Sequence, residues 1–113
     1  MALSGHNGHV EAAHLLPMVQ ALRCGVAEER GWVAMGPVGL GAHGFSGRLA
    51  GVSHTIQQGV SLALAFHGSV YNAFEVLPAE EQTSNPCQGL LHLYTQEGIG
   101  FIHRLRGEFA CAL

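Results

Sequence analysis

The sequence predicts a single α+β domain in which antiparallel β-sheets are combined with helices. Three observations support this fold class. The chain has 113 residues, which is enough for one hydrophobic core. A Gly-Pro pair divides residues 31–45 into two short strands. Apolar residues recur at helical spacing over residues 10–23 and 90–105, and they alternate with other residues in the final segment 107–113.

The first predicted elements are a terminal strand and a helix. Residues 2–5 have mostly small side chains and predict a short strand at the start of the chain. Residues 10–23 have the spacing of an amphipathic helix, but Pro17 lacks the backbone N–H that a helix interior needs. We therefore expect the helix from about Leu16 to Cys24.

The middle of the chain predicts three strands and a loop. Two strands flank Gly36-Pro37 within residues 31–45, and their glycines indicate tight packing rather than a phosphate loop, because no GK[ST] motif follows. Residues 47–58 predict a loop. Residues 60–66 are apolar and predict a buried strand.

The last third predicts short helices and one strand. A Glu-rich stretch around Pro78 indicates a short helical turn, and residues 90–105 predict two short helices that share an apolar face across a break at Gly98. The alternation in GEFACAL predicts a final strand. Cys111 is expected to lie in the core.

Composition excludes several classes of function. All eight acids are Glu and all five bases are Arg, so the chain has no Asp for a Ser-His-Asp triad and no Lys for a Schiff base or a P-loop. The net charge of −3 argues against nucleic-acid binding. Only 12% of residues are charged, about half the usual fraction, which indicates a buried interface.

Cysteine and histidine usage predicts neither a disulfide framework nor a metal site. The three cysteines are far apart, and His9 and His14 do not share a helix face as a zinc pair would. We predict no metal and no cofactor. The N-terminus lacks a signal-peptide pattern, and no apolar stretch reaches 18 residues, so a cytoplasmic protein with no membrane contact is expected.

Three separated motifs resemble one enzyme family. They are GPVGLGAHGFS at residues 36–46, FHGSVYN at residues 66–72 and LLHLYTQEGIGFIHRLRGEFACAL at residues 90–113. Together they resemble the N-terminal glutaminase domain of asparagine synthetase-like proteins, the class II glutamine amidotransferases. The resemblance runs from about Leu16 to Leu113. It implies that residues 1–113 form a partial domain, the N-terminal half of an α/β/β/α sandwich of the N-terminal nucleophile (Ntn) hydrolase type.

The resemblance also implies that the active centre has lost its chemistry. The family's nucleophilic N-terminal Cys corresponds to Ala2, and its Asn-Gly oxyanion pair corresponds to His67-Gly68. The Glu that follows this pair in the family corresponds to Ser69 in this chain. No catalytic residue is therefore predicted, and the break at residue 67 is expected to be a turn that presents one backbone amide.

The substrate-binding acid of the family is absent as well. Pro86 corresponds to the family's Asp, which binds the substrate amino group, and Cys87 follows Pro86 in the sequence. With the four positions above, these residues form the expected relict pocket, which could hold an amino acid-like ligand. Tyr71 and Asn72, which match the family, are expected to be structural: Asn72 orders a turn, and Tyr71 packs on the sheet with its hydroxyl bonded.

These observations predict a catalytically inactive domain that acts as a protein-interaction, accessory or regulatory module. A homodimer or a partner protein would complete the sheet at the last strand. Two alternatives stay open. One is an amidohydrolase with a relocated nucleophile, Cys87 or Cys24, acting with His67. The other is a fragment of a larger asparagine synthetase-like enzyme.

Overall fold

The computed structural model describes residues 2–4, 8–22, 29–44, 49–83 and 86–113. These residues form six strands, four α-helices and one 3-10 helix. In chain order they are β1 (Ala2–Ser4), α1 (Ala12–Ala21), β2 (Glu29–Met35), β3 (Val38–Gly44), β4 (Leu49–Gln57), β5 (Val60–Val70), α2 (Ala73–Val76), α3 (Ala79–Thr83), α4 (Pro86–Glu97), the 3-10 helix (Gly98–Arg104) and β6 (Gly107–Ala112).

The strands form two antiparallel sheets of three strands each. The first sheet has the order β1-β3-β2, and the second has the order β4-β5-β6. β5 is therefore the central strand of the second sheet. His67 on this strand, for example, lies opposite Ala50 on β4 and Ala110 on β6.

The layers follow the order helix, sheet, sheet, helix. α1 packs on β2 and β3 of the first sheet, the two sheets face each other, and α4 packs on β4 and β5 from the other side. One core lies between the sheets and includes Leu40, Ala42, Ala63 and Ala65. The other lies between the second sheet and the helices, and includes Leu64, Phe66, Leu90, Leu91 and Phe101. The prediction of an α+β fold with antiparallel sheets and helices is confirmed.

The glycines of β3 let α1 approach the first sheet closely. A Cβ atom at Gly41 would lie 2.4 Å from Val19 Cγ2, and one at Gly39 would lie 2.7 Å from Leu15 Cδ1. Both distances are too short for a real contact. The glycine-rich segment thus serves packing, as the sequence predicted, although its neighbour is a helix.

The predicted late start of α1 is wrong, because the helix begins at Ala12 and contains Pro17. The backbone N–H of Glu11 donates to Nδ1 of His14 at 3.1 Å, which satisfies one group at the helix start. Pro17 removes one helical hydrogen bond. Burial of Leu15 and Val19 against β3 compensates for this loss. The predicted helix end at Cys24 lies outside the described residues.

The loop predicted at residues 47–58 is wrong over Leu49–Gln57, which form β4 and pair along β5. The β-branched residues Val52, Thr55 and Ile56 are typical of a strand. Two polar residues between them, Ser53 and His54, interrupt the alternation of apolar and polar residues from which a strand is predicted. Ser53 is buried because its hydroxyl donates to Oε1 of Gln88 on α4.

The remaining elements lie close to their predicted positions, with two corrections at single residues. Strands flank Gly36-Pro37, short helices flank Pro78, and Gly98 breaks the helical segment with a φ of 65°. Ile99, which the helical spacing over residues 90–105 predicts on the shared apolar face, is exposed, and Phe101 fills the core in its place. Cys111 is exposed, so its predicted core position is wrong. No helix in the described part of the chain is long and apolar enough to span a membrane.

Candidate functional site

A cleft of about 390 Å³ opens between the two sheets beside β6. The cleft exists because β4 and β5 pack on strands of the first sheet, whereas β6 does not. Among the described elements, β6 makes an extensive contact only with β5. The inner side of β6 is therefore left partly uncovered. The described residues that line the cleft are Leu22, Gly41, Ala42, His43, Ala65, Phe66, His67, Ala110, Cys111 and Ala112.

The polar groups of the lining come from three strands. His43 on β3 and His67 on β5 are half-buried imidazoles, one contributed by each sheet. Cys111 on β6 also borders the cleft, but it lies opposite Phe66, so its thiol is on the helix-side face of the second sheet. Partial burial raises the pKa of the Cys111 thiol above its ordinary value of about 9.0, so it stays protonated at neutral pH. A protonated thiol is a poor nucleophile.

The structure brings the backbone of Ala2 close to this cleft. Ala2 pairs with Leu40 on β3, and the next residue of β3, Gly41, lines the cleft. His67 reaches the same cleft from the second sheet. The backbone of Ala2 and residue His67, two members of the predicted relict pocket, thus lie near the same cleft.

Gly68 and Ser69 do not form the predicted turn, because both lie within β5. Gly68 pairs with Leu49 on β4 and with Phe109 on β6. In a strand paired on both sides, each backbone N–H points at a neighbouring strand. The amide of Gly68 is therefore directed into the sheet, and the expected presentation to a ligand is wrong.

A structural reason accounts for glycine at position 68. Its φ is +143°, and a Cβ atom there would lie 2.2 Å from the carbonyl oxygen of Glu108. β6 can approach β5 this closely only opposite a glycine. The glycine that matches the family motif is thus required by strand packing in this chain.

Ser69, Pro86 and Cys87 lie away from the cleft. Ser69 and Pro86 line a separate surface pocket with Tyr71. Cys87 is buried in the helix-side core, and its Sγ lies 3.2 Å from the position of a Cβ atom at Gly51.

Cys87 and His67 lie on opposite faces of the second sheet. Phe66, which precedes His67 on β5, belongs to the helix-side core with Cys87, and successive strand residues point to opposite faces. A nucleophile–base contact between Cys87 and His67 is therefore not formed. The other candidate nucleophile, Cys24, lies outside the described residues.

Asn72 has the structural role that the sequence predicted. It is buried, its side-chain NH₂ donates to the carbonyl of Arg104 at 2.8 Å, and its Oδ1 accepts from the N–H of Arg106 at 2.8 Å. Tyr71 is 62% exposed, so its predicted packing against the sheet is wrong.

The described residues contain no group of three metal-ligating side chains. Comparison with protein-family models, with curated proteins and with solved structures found no match for this chain. The case for any function therefore depends on the geometry of the cleft and of the sheet edges.

Two residues that line the cleft, His43 and Cys111, are not among those of the predicted relict pocket. His43 lies two residues after Gly41 and therefore shares the face of β3 that is turned toward α1. The position of Cys111 depends on β6 being an edge strand, and strand order is not visible in the sequence.

Proposed function

We propose that this chain is a catalytically inactive domain related to the class II glutaminase domains, and that it acts by associating with a second copy through β6. The open edge of β6 carries this proposal. β6 pairs with β5 on one side and with no described strand on the other. Unpaired N–H and C=O groups along a sheet edge are a template for another strand.

The side chains of β6 favour such an addition. The strand GEFACA contains a single charge, at Glu108, and lacks the Lys or Pro residues that commonly protect an edge. Cys111 and Leu113 are exposed beside it. A two-fold axis would pair β6 with its own copy in the antiparallel sense and join two three-stranded sheets into one of six strands.

The chemistry of the family centre is missing from this chain. Ala2 has no nucleophilic atom, the amide of Gly68 points into the sheet, and the Cys111 thiol is held in its protonated form. Loss of a covalent nucleophile typically lowers the rate by several orders of magnitude. These observations support a role in binding.

Light scattering of the purified chain tests the proposal. We expect the mass of a dimer for the wild type and a shift toward the monomer for Ala110→Lys, because a lysine in the exposed middle of β6 opposes strand addition. Ile56→Lys, on the far strand β4, is the matched control and should leave the dimer intact.

A wild-type chain that stays monomeric at high concentration would contradict association through β6. A dimer that survives Ala110→Lys but dissociates with Ile56→Lys would also overturn the proposal, since it would place the interface elsewhere. Release of ammonia from glutamine by the wild-type chain would overturn the catalytically inactive assignment.

A further inference from the structure

A groove of about 460 Å³ lies between α1 and the first sheet, and its volume is within the range of roughly 300–1,000 Å³ that is typical of ligand pockets. Among the described lining residues, only His43 borders both this groove and the cleft between the sheets. The described residues that line the groove are Leu16, Val19 and Gln20 of α1, Gly31 and Trp32 of β2, and His43 of β3.

The strand pairing places Trp32 and His43 on the α1 side of the first sheet. Trp32 pairs with Gly41 on β3, and a Cβ atom at Gly41 would lie 2.4 Å from Val19 Cγ2 of α1. Gly41 therefore faces α1. Directly paired residues share a face of a sheet, and so do residues two apart along one strand. Trp32 and His43 are thus diagonal neighbours on one face, close enough for both side chains to contact the same ligand.

Trp32 offers a flat apolar surface to this groove. It is the only tryptophan of the chain, and 44% of its surface is exposed. β2 pairs with β3 alone among the described strands, so Trp32 stands at a sheet edge beside α1. A planar ring stacked on the indole would remove the contact area of both rings from water, and stacked aromatic pairs are favourable beyond that burial.

Gln20 and His43 supply the polar groups that would face the edge of such a ring. Leu16 and Gln20 are one helical turn apart, so they lie on the same side of α1, along the groove. The amide of Gln20 can donate and accept, and so can a neutral imidazole at His43. A ligand that fits these groups has donors and acceptors at the rim of a flat ring. The ring nitrogens and attached amino or carbonyl groups of a nitrogen heterocycle provide both.

Other ligand classes fit this set of groups less well. An indole face attracts cations, but a quaternary ammonium group has no atom that could accept from Gln20 or His43. A sugar has hydroxyl groups for both residues, but its puckered ring holds only some of its atoms in contact with the indole of Trp32. A planar heterocycle keeps all of its ring atoms at contact distance and has polar atoms at its edge.

We propose that this groove binds a planar nitrogen heterocycle of the size of a purine base, stacked on Trp32 and hydrogen-bonded at its edge by Gln20 and His43. This inference goes beyond the proposed function, because the groove belongs to the first sheet whereas β6 belongs to the second. Either proposal can fail while the other stands.

Titration of the wild-type chain with adenine, glucose and tetramethylammonium tests this inference, since the three probes are a planar heterocycle, a puckered polyol and a cation. Trp32 is the sole tryptophan, so its fluorescence, excited at wavelengths where adenine does not absorb, reports on the groove directly. We expect adenine to quench this emission in a saturable manner. Glucose and tetramethylammonium should leave it unchanged.

Variants at Trp32 identify the stacking surface, with affinities measured by calorimetry and folding verified by circular dichroism. Trp32→Ala should weaken adenine binding about ten-fold, as base–aromatic stacking implies, and Trp32→Phe should lose less because it keeps a ring. Phe74→Ala removes another exposed aromatic side chain, on α2, and is the matched control that should bind adenine like the wild type.

A variant at Gln20 tests the polar edge of the site. Gln20→Leu keeps a side chain of similar size without the amide and should weaken adenine binding about five-fold. Gln96→Leu, at an exposed position of α4, is its control. The inference is overturned if adenine does not bind, if glucose or tetramethylammonium binds as tightly, if Trp32→Ala binds adenine as well as Phe74→Ala does, or if Gln20→Leu keeps the wild-type affinity.

Discussion

At the scale of single residues, Asn72 connects three elements with one short side chain. Its amide donates to the carbonyl of Arg104 at the end of the 3-10 helix and accepts from the N–H of Arg106 just before β6. The backbone N–H of Tyr71 donates to the carbonyl of Arg106 at 2.6 Å. Together these bonds fix the chain segment that leads into the edge strand.

We expect Asn72→Ala to lower the free energy of unfolding by about 2 kcal/mol, because two partly buried backbone groups would lose their partner. Asn72→Asp keeps an acceptor for Arg106 but faces the carbonyl of Arg104 with a carboxylate, so it should also destabilise. Urea unfolding measures both effects. Gln57→Ala, exposed at the end of β4, is the control and should change stability by less than about 0.5 kcal/mol. An equally small effect of Asn72→Ala would show that these bonds contribute little.

The role of Asn72 could be predicted from the sequence, whereas that of Tyr71 could not. Asn is suited to ordering a turn because its side chain both donates and accepts, and this property does not depend on the rest of the fold. Whether Tyr71 is buried depends on which element covers it, and no described element does so. Chemistry local to a residue is visible in the sequence, but its surroundings are not.

At the scale of elements, β5 shows how a glycine and a polar residue can continue a strand. His67-Gly68-Ser69 suggests a turn by composition, yet all three residues pair with neighbouring strands. His67 and Ser69 are tolerated because the strand passes beyond the fully buried segment Ala63–Phe66. A run of buried apolar residues can therefore mark only the middle of a longer strand.

Gly68→Ala should destabilise the fold by at least about 2 kcal/mol. Its φ of +143° is unfavourable for alanine, and the added methyl group would collide with the backbone of Glu108 and Phe109. Thermal or urea unfolding measures the loss. Gly100→Ala is the control, since nothing lies within 4 Å of a Cβ atom at that position. If Gly68→Ala were as stable as Gly100→Ala, the close approach of β6 to β5 would be wrong.

At the scale of the whole molecule, the second sheet separates two cores and supports the site on one of its faces. Leu64 and Phe66 of β5 face the helix-side core, whereas Ala63 and Ala65 face the first sheet. Small residues on the second face bring the sheets together, and they also leave the cleft open where β6 has no extensive neighbour in the first sheet. The helices and most strands could be predicted from periodicity. The cleft could not, because it follows from the order of strands.

Under the proposed relation to the class II glutaminase domains, this architecture predicts that adding a thiol at position 2 alone gives no glutaminase activity. Ala2→Cys would supply a thiol on β1, whose backbone pairs with β3, after removal of Met1. The N–H of Gly68 would still point into the sheet, His67 would still occupy the position of the family's Asn, and Pro86 would offer no acid. We expect no ammonia release from glutamine by Ala2→Cys, measured alongside Ala2→Ser as the control. Turnover by the Cys variant and not by the Ser variant would show that the remaining centre can still stabilise the transition state, and that Ala2 is the sole defect.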